Sequence, residues 1–101
     1  MRQYSRSFAP EAIAYSVPFR AKFLEDGTTA LIENVSEERL NWVRVDLIGV
    51  GMMTPVSPGS MEPGDQIQVR VRGANWENTT RIQLSWLRAD DSGPFVWQCV
   101  Q

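Results

Sequence analysis

The chain has 101 residues, of which 43% are hydrophobic and 22% charged, a balance typical of one soluble globular domain with a single core. Ten basic residues stand against twelve acidic ones, and a net charge of -2 gives no basic excess that would favour nucleic acid as a partner. The chain contains no histidine, the commonest general base and metal ligand near neutral pH, so we expect no catalytic residue, no metal site and no cofactor.

The N-terminus gives little sign of structure. Residues 1–10 are expected to be a disordered N-terminal segment, and residues 11–101 to form a single β-sandwich domain. Positive charge is followed by no apolar run, so no signal peptide is visible and a cytoplasmic location is favoured, although an excised domain could be extracellular. No stretch is long enough to span a membrane. Cys99 is the only cysteine, so no intramolecular disulfide can form, and we interpret it as a structural residue.

The first strand signals lie before residue 36. Ile13, Tyr15 and Val17 predict a first strand, which Pro18 ends or places at a sheet edge. Apolar and basic residues then alternate over 19–23, and an Asp-Gly pair at 26–27 predicts a tight hairpin into a strand over 29–35. Residues 33–41 carry the one helix signal, but a turn linking two strands is the favoured interpretation.

Four later strands are predicted by alternation of apolar and polar residues. They cover 40–48, 66–72, 81–88 and 95–100, and the last two are joined by a loop over 89–94. The inward positions of the first three are Val43, Val45, Leu47, Ile67, Val69, Val71, Ile82, Leu84 and Trp86. With turn signals at regular spacing, this pattern predicts an all-β, immunoglobulin-like antiparallel β-sandwich of about seven strands.

A family resemblance rests on four segments taken in order. They are Leu31-Ile-Glu-Asn34, Trp42-Val-Arg-Val45, Met61-Glu-Pro-Gly-Asp65 before an alternating strand, and a strand containing Trp86. Over residues 19–100 the chain resembles bacterial immunoglobulin-like domains related to fibronectin type III. It lacks the cysteine pair of antibody-type domains, so no subfamily is assigned. The resemblance implies a binding module, a spacer or an accessory domain, and it carries over no functional residue.

A long, nearly uncharged loop over 49–61 and two tryptophans supply the candidate partner-binding residues. These are Trp42, Met52, Met53, Val56, Met61 and Trp76. Methionine-rich surfaces adapt to partners, and partly exposed tryptophans contact proteins or carbohydrates. The alternative for the loop is that it folds over the open end of the sandwich, or adds a short edge strand, and buries its methionines. The alternative for the tryptophans is packing.

Charged residues offer weaker signals. Acidic pairs at 25–26, 37–38 and 90–91 fall in predicted turns, where they could bind calcium if several loops converged. Solvated side chains are the default interpretation, because no ligand spacing like that of an EF-hand accompanies them. Five arginines could share outer faces and bind an acidic partner, or pair with Asp46, Glu33 and Asp65. They are Arg44, Arg70, Arg72, Arg81 and Arg88.

The leading hypothesis is therefore a non-catalytic binding or protein-interaction module of unknown ligand. The alternatives are a carbohydrate-binding domain that uses exposed tryptophans (Trp42, Trp76 or Trp97) and a structural spacer or assembly subunit. The partner would be a protein, with carbohydrate less favoured, and the sequence leaves the oligomeric state open.

Overall fold

A computed structural model describes the backbone of residues 2–6 and all of residues 15–101. The strands are β1 (Arg2–Arg6), β2 (Phe19–Phe23), β3 (Thr29–Asn34), β4 (Leu40–Ile48), β5 (Met52–Met53), β6 (Val56–Met61), β7 (Gln66–Arg72), β8 (Arg81–Leu87) and β9 (Phe95–Val100). Within the described ranges there is no helix, and so none long and apolar enough to cross a membrane.

The strands form two antiparallel sheets. One sheet has the order β1-β9-β8-β4-β6 and the other the order β2-β3-β7-β5. The all-β, antiparallel architecture expected from the sequence is confirmed. There are more strands than about seven, because residues 2–6 pair with β9 and the predicted loop over 49–61 contributes both β5 and β6.

The alternation of apolar and polar residues predicts the bounds of most strands to within one residue. The bounds of β2, β4, β7 and β9 match the predicted segments, while β3 and β8 each end one residue earlier than predicted. The predicted first strand is wrong where the structure describes it, since Tyr15 and Val17 are half-buried but belong to no strand. Tyr15 instead accepts a hydrogen bond from Nε1 of Trp86 at 3.1 Å, and its ring centroid lies 4.8 Å from that of Phe95, so side-chain contacts rather than strand pairing hold this residue.

Two parts of the sequence predictions fall partly outside the described residues. Ile13, assigned to the first strand, lies there, as do position 1 and positions 7–10 of the segment expected to be disordered. The backbone of residues 2–6 in that segment runs antiparallel to β9 as β1.

The core lies between the two sheets and is rich in aromatic side chains. The predicted inward residues of β8 are buried, with Ile82 and Leu84 fully enclosed and Trp86 3% exposed. Phe19 of the four-stranded sheet meets Trp86 of the other sheet edge to face, with ring centroids 5.0 Å apart. Such tilted contacts suit the quadrupoles of aromatic rings, so they join the two layers as well as filling space.

The turn after β3 is organised by Asn34, whose side chain is fully buried. Its Nδ2 donates to the carbonyls of Glu38 and Met61 at 2.9 and 3.0 Å, and its Oδ1 accepts from the backbone N–H of Ser36 at 2.9 Å. Because both ends of this buried amide are hydrogen-bonded, Asn34 holds the turn in place. The favoured interpretation of residues 33–41 as a turn is confirmed.

Candidate functional site

The six candidate partner-binding residues do not form one surface. Trp42 and Met52 are strongly exposed, at 76% and 74%. Met53, Val56 and Trp76 are half-buried and pack against the core. The six candidates are therefore spread over both sheets, the loop before β8 and the interior.

Met61 and Trp76 each have an identified packing neighbour. Met61 is 1% exposed because it ends β6 opposite Leu40, another buried residue, so it is a core residue and cannot contact a partner. Trp76 lies edge to face against Phe23, with ring centroids 5.2 Å apart. Trp97, the third tryptophan considered for carbohydrate, is 1% exposed.

Trp42 owes its exposure to a β-bulge in β4. Between Asn41 and Arg44 this strand advances three residues, while the facing strand β8 advances two. Trp42 takes a left-handed backbone conformation, with φ of 51°, which is unfavourable for a bulky residue. The extra residue turns the Trp42 side chain outward and lets both Leu40 and Val43 enter the core.

Met52, Met53 and Val56 line an open groove of about 700 Å³ on one side of the sandwich, together with residues of β7 that include Gln68, Val69 and Arg70. The groove exists because β5 pairs with β7 over only two residues, Met52 with Arg72 and Met53 with Val71. The chain then leaves that sheet through Thr54 and Pro55 and joins the other sheet as β6. Proline has no N–H to donate to a ladder, so the pairing ends there.

The free edge of β7 can be read from its register with β3. Val71 donates its N–H to the Thr28 carbonyl at 2.8 Å, and the Asp65 carbonyl accepts from Asn34 at 3.0 Å. Because alternate residues of an antiparallel strand point their backbone groups to the same side, Ile67 and Val69 also face β3.

Gln66, Gln68 and Arg70 therefore point their N–H and C=O groups away from β3. Among the described residues no strand pairs with that side of β7 between Gln66 and Arg70. The unpaired backbone and the groove together are called the β7 edge groove below, with Met53, Val56, Gln66, Gln68, Val69 and Arg70 as its defining residues.

The neighbouring edge of the other sheet is protected. β6 contains Pro58 and Gly59 and pairs irregularly with β4, with register shifts on both sides of Val43. Proline, glycine and bulges are the usual devices that keep an edge strand from pairing with another chain. β7 has none of them over 66–70, so the two edges on this side of the sandwich differ in their capacity to accept a strand.

The arginines separate by sheet. Arg44 pairs with Asp46 at 3.1 Å, as one of the sequence interpretations had it, and Arg88 pairs with Glu38 at 2.9 Å. Arg81 donates to the carbonyl of Thr80 at 2.7 Å. Arg70 and Arg72, by contrast, have no carboxylate within ion-pair distance among the described residues, so neither Glu33 nor Asp65 pairs with them.

The outer face of the four-stranded sheet is consequently basic. Arg70 and Arg72 project from β7, and Arg20 and Lys22 from β2, all of them exposed. Among the described residues of β2, β3 and β7 one carboxylate lies on this face, that of Glu33, which accepts from Gln66 Nε2 at 3.4 Å. An acidic protein thus presents one locally positive sheet face next to the β7 edge groove.

Reactive groups are held in unreactive settings. Cys99 is fully buried, and burial raises the pKa of its thiol to about 12. In the described part of the chain no three acidic, cysteine or histidine side chains gather as a metal site would require. The β7 edge groove and the sheet face beside it offer hydrogen bonding, apolar contact and positive charge.

The fold and this surface define an all-β domain with an open sheet edge. Comparisons with protein-family models, with curated proteins and with solved structures find no match for the chain.

Proposed function

We propose that this chain is a non-catalytic protein-interaction module which binds an extended segment of a partner as an added strand on β7. The observation that carries the proposal is the free backbone of Gln66, Gln68 and Arg70 beside an apolar groove. In strand addition, main-chain hydrogen bonds supply affinity and pockets for alternate side chains supply specificity. The β7 edge groove offers both in one place.

We further propose that the fold is immunoglobulin-like, with a change of strand order that leaves this edge bare. When β1 and the short β5 are set aside, seven strands remain, and their sheets read β2-β3-β7 and β9-β8-β4-β6. In the constant-type immunoglobulin order the fourth strand covers the edge of the fifth. Here the fourth strand, β6, pairs with β4 instead, so the fifth strand, β7, keeps only the two-residue β5 beside it.

Of the three tryptophans considered for carbohydrate binding, only Trp42 is exposed enough to stack on a sugar. Trp42 is 76% exposed, but Trp76 and Trp97 are engaged in packing. A stacking platform for sugars draws on exposed aromatic faces, and one isolated ring gives less area than the β7 edge groove with its backbone donors and acceptors. The interaction module is therefore the better-supported function.

The edge itself is tested first by amide hydrogen exchange on the free protein. Amides of Ile67, Val69 and Val71, which face β3, should exchange slowly, and those of Gln66, Gln68 and Arg70 should exchange fast. Equal protection of both sets would mean that the edge is already covered, and the proposal would fail.

Binding is tested with a display library of short random peptides selected on the wild-type protein. Gln68→Pro removes the outward N–H of β7 without breaking a bond to β3, and Gln68→Ala is the matched control that keeps this N–H. Selected peptides should protect the amides of Gln66, Gln68 and Arg70, bind the alanine variant and lose binding to the proline variant. Peptides that bind both variants equally would refute strand addition.

A further inference from the structure

We propose that the segment added to β7 is acidic, with carboxylate side chains alternating with apolar ones. This inference rests on the strand addition proposed above and specifies the chemistry of the partner. Two features of the β7 edge groove carry it: unpaired arginines on its outer side and apolar side chains on its inner side.

The charge on the outer side has no partner of its own. Two other exposed arginines are engaged, since Arg39 lies 3.5 Å from Glu62 and Arg44 lies 3.1 Å from Asp46, whereas Arg20, on the same face as Arg70, has no carboxylate partner among the described residues. Arg70 and Arg72 have no such carboxylate among the described residues, although the protein as a whole is acidic. A bound carboxylate would therefore find guanidinium groups that need not first give up an internal ion pair.

Strand geometry places those carboxylates at alternate positions. Adjacent strands lie about 4.8 Å apart, and successive side chains point to opposite faces of a sheet. Side chains of an added strand that share the face of Gln68 would stand directly opposite or diagonal to Arg70, within reach of a long guanidinium arm. The arginines can therefore form ion pairs with every second side chain of the bound segment.

The intervening residues of the added strand would face the interior of the sandwich. There the β7 edge groove presents Met53, Val56 and the buried Val69. Methionine fills irregular gaps and adapts to side chains of different shape. This lining favours apolar residues of moderate size without selecting one of them, so the expected pattern is acidic and apolar in alternation.

A second copy of this chain is a poorer occupant. Two β7 edges paired with each other would bring Arg70 and Arg72 of both copies onto one sheet face, and like charges close together across strands are destabilising. Nucleic acid could satisfy the arginines, but it would leave the free backbone edge and the apolar lining unused. An acidic peptide uses all three features.

The probes are four capped peptides. Three are repeats of Glu-Val, of Gln-Val and of Lys-Val. The fourth, the blocked peptide, has the same composition as the Glu-Val peptide, but all its Glu residues precede all its Val residues. The proteins are the wild type, R70E/R72E, and R39E/R44E, which makes the same change in net charge on β4 and in the turn before it. Dissociation constants are measured at low and at physiological salt, and amide protection at Gln68 reports whether strand addition has occurred.

The Glu-Val peptide should bind the wild type about tenfold more tightly than the Gln-Val peptide, the size expected of two exposed ion pairs acting together, and should lose this advantage with salt. It should also bind more tightly than the blocked peptide. R70E/R72E should prefer the Lys-Val peptide, while R39E/R44E should keep the wild-type preference.

Two outcomes would separate this inference from the function on which it rests. If the Gln-Val and Glu-Val peptides bind equally and both protect Gln68, the acidic preference is overturned and strand addition stands. If the Glu-Val peptide binds without protecting Gln68, or binds Gln68→Pro unchanged, both are overturned. Sedimentation that shows self-association through β7, abolished by Gln68→Pro, would identify a second copy as the occupant and overturn the acidic segment.

Discussion

The guanidinium group of Arg88 donates to both carboxylate oxygens of Glu38, with distances of 3.1 and 2.9 Å. The same guanidinium lies 4.2 Å from the ring centre of Tyr15. Arg88 thereby ties the turn after β3 and the segment before β2 to the end of β8. Bidentate pairing makes this the best-formed ion pair in the described part of the molecule.

Glu38→Gln should reduce stability at neutral pH by about 1 kcal/mol, a value discounted for partial exposure of the pair. Hydrogen bonding to Arg88 holds the pKa of Glu38 below its usual value near 4.5. A lowered pKa in the folded state gives stability that is present above the unfolded pKa and is lost as pH falls. Denaturant unfolding from pH 7 down to pH 3 should therefore show the gap between wild type and variant closing below about pH 4.5.

Glu37→Gln is the matched control for this experiment. Glu37 is the exposed neighbour of Glu38 and forms no ion pair with any described residue. The control should unfold like the wild type across the same range. If the difference in unfolding free energy between wild type and Glu38→Gln stays constant with pH, the charge of the Glu38 carboxylate does not contribute to stability.

The left-handed conformation of Trp42 predicts an unusual order of stability among its variants. Glycine accepts a φ of 51° without steric cost, while alanine does not. Because the Trp42 side chain is mostly exposed, truncating it loses little buried area. Trp42→Gly should therefore be more stable than Trp42→Ala by about 1 kcal/mol, which chemical denaturation measures.

At an ordinary strand position the order is reversed, which supplies the control. Gln83 faces outward on β8, and there glycine should be less stable than alanine. If Trp42→Gly were also less stable than Trp42→Ala, the bulge would not hold this residue in the left-handed region in solution.

The methionines of the segment 49–61 should differ sharply in what they contribute to folding. Met61→Ala should cost about 2–5 kcal/mol, because its side chain is fully enclosed and its removal leaves a cavity. Met52→Ala should stay within about 0.5 kcal/mol of the wild type, since that side chain is exposed. Comparable losses in the two variants would contradict the division of this segment between core and surface.

Sequence patterns predicted strands where one face is buried and the other solvated. The strand β7 is the clearest case. Val69 and Val71 are buried, the polar residues that alternate with them are exposed, and the bounds of the strand match the prediction. The segment 49–61 has no such alternation, because glycines and prolines interrupt it. A short edge strand there was one alternative, but the bounds of β5 and β6 were not predicted. Tyr15 and Val17 alternate like strand residues, but their apolar groups serve packing alone.

The candidate site was predictable only in part. Composition singled out Met52, Met53 and Val56 as candidate partner-binding residues, and in the structure they line one groove. Nothing in local sequence shows that β6 pairs with β4 rather than with β7, because strand order depends on which distant segments meet. The free backbone of Gln68 follows from that choice, so it appears only once the topology is known.

Cys99 provides a further prediction, on the alkaline side. Its thiol is fully buried, and desolvation raises its pKa to about 12, above the value of 9.0 for an exposed cysteine. For an acid whose folded pKa is raised, the stabilising contribution is present below the unfolded pKa and is lost as pH rises through the folded value. The wild type should therefore lose stability relative to Cys99→Ala above about pH 9, and the difference between them should be constant below it.

Alkylation of Cys99 gives an independent measure of the same burial. At pH 8 iodoacetamide should label the native protein only as fast as the chain opens, because the reactive thiolate is nearly absent in the folded state. Labelling should then rise with denaturant along the unfolding curve. Rapid labelling in the absence of denaturant would mean that the core around Cys99 opens in the native protein and would contradict the burial of this thiol.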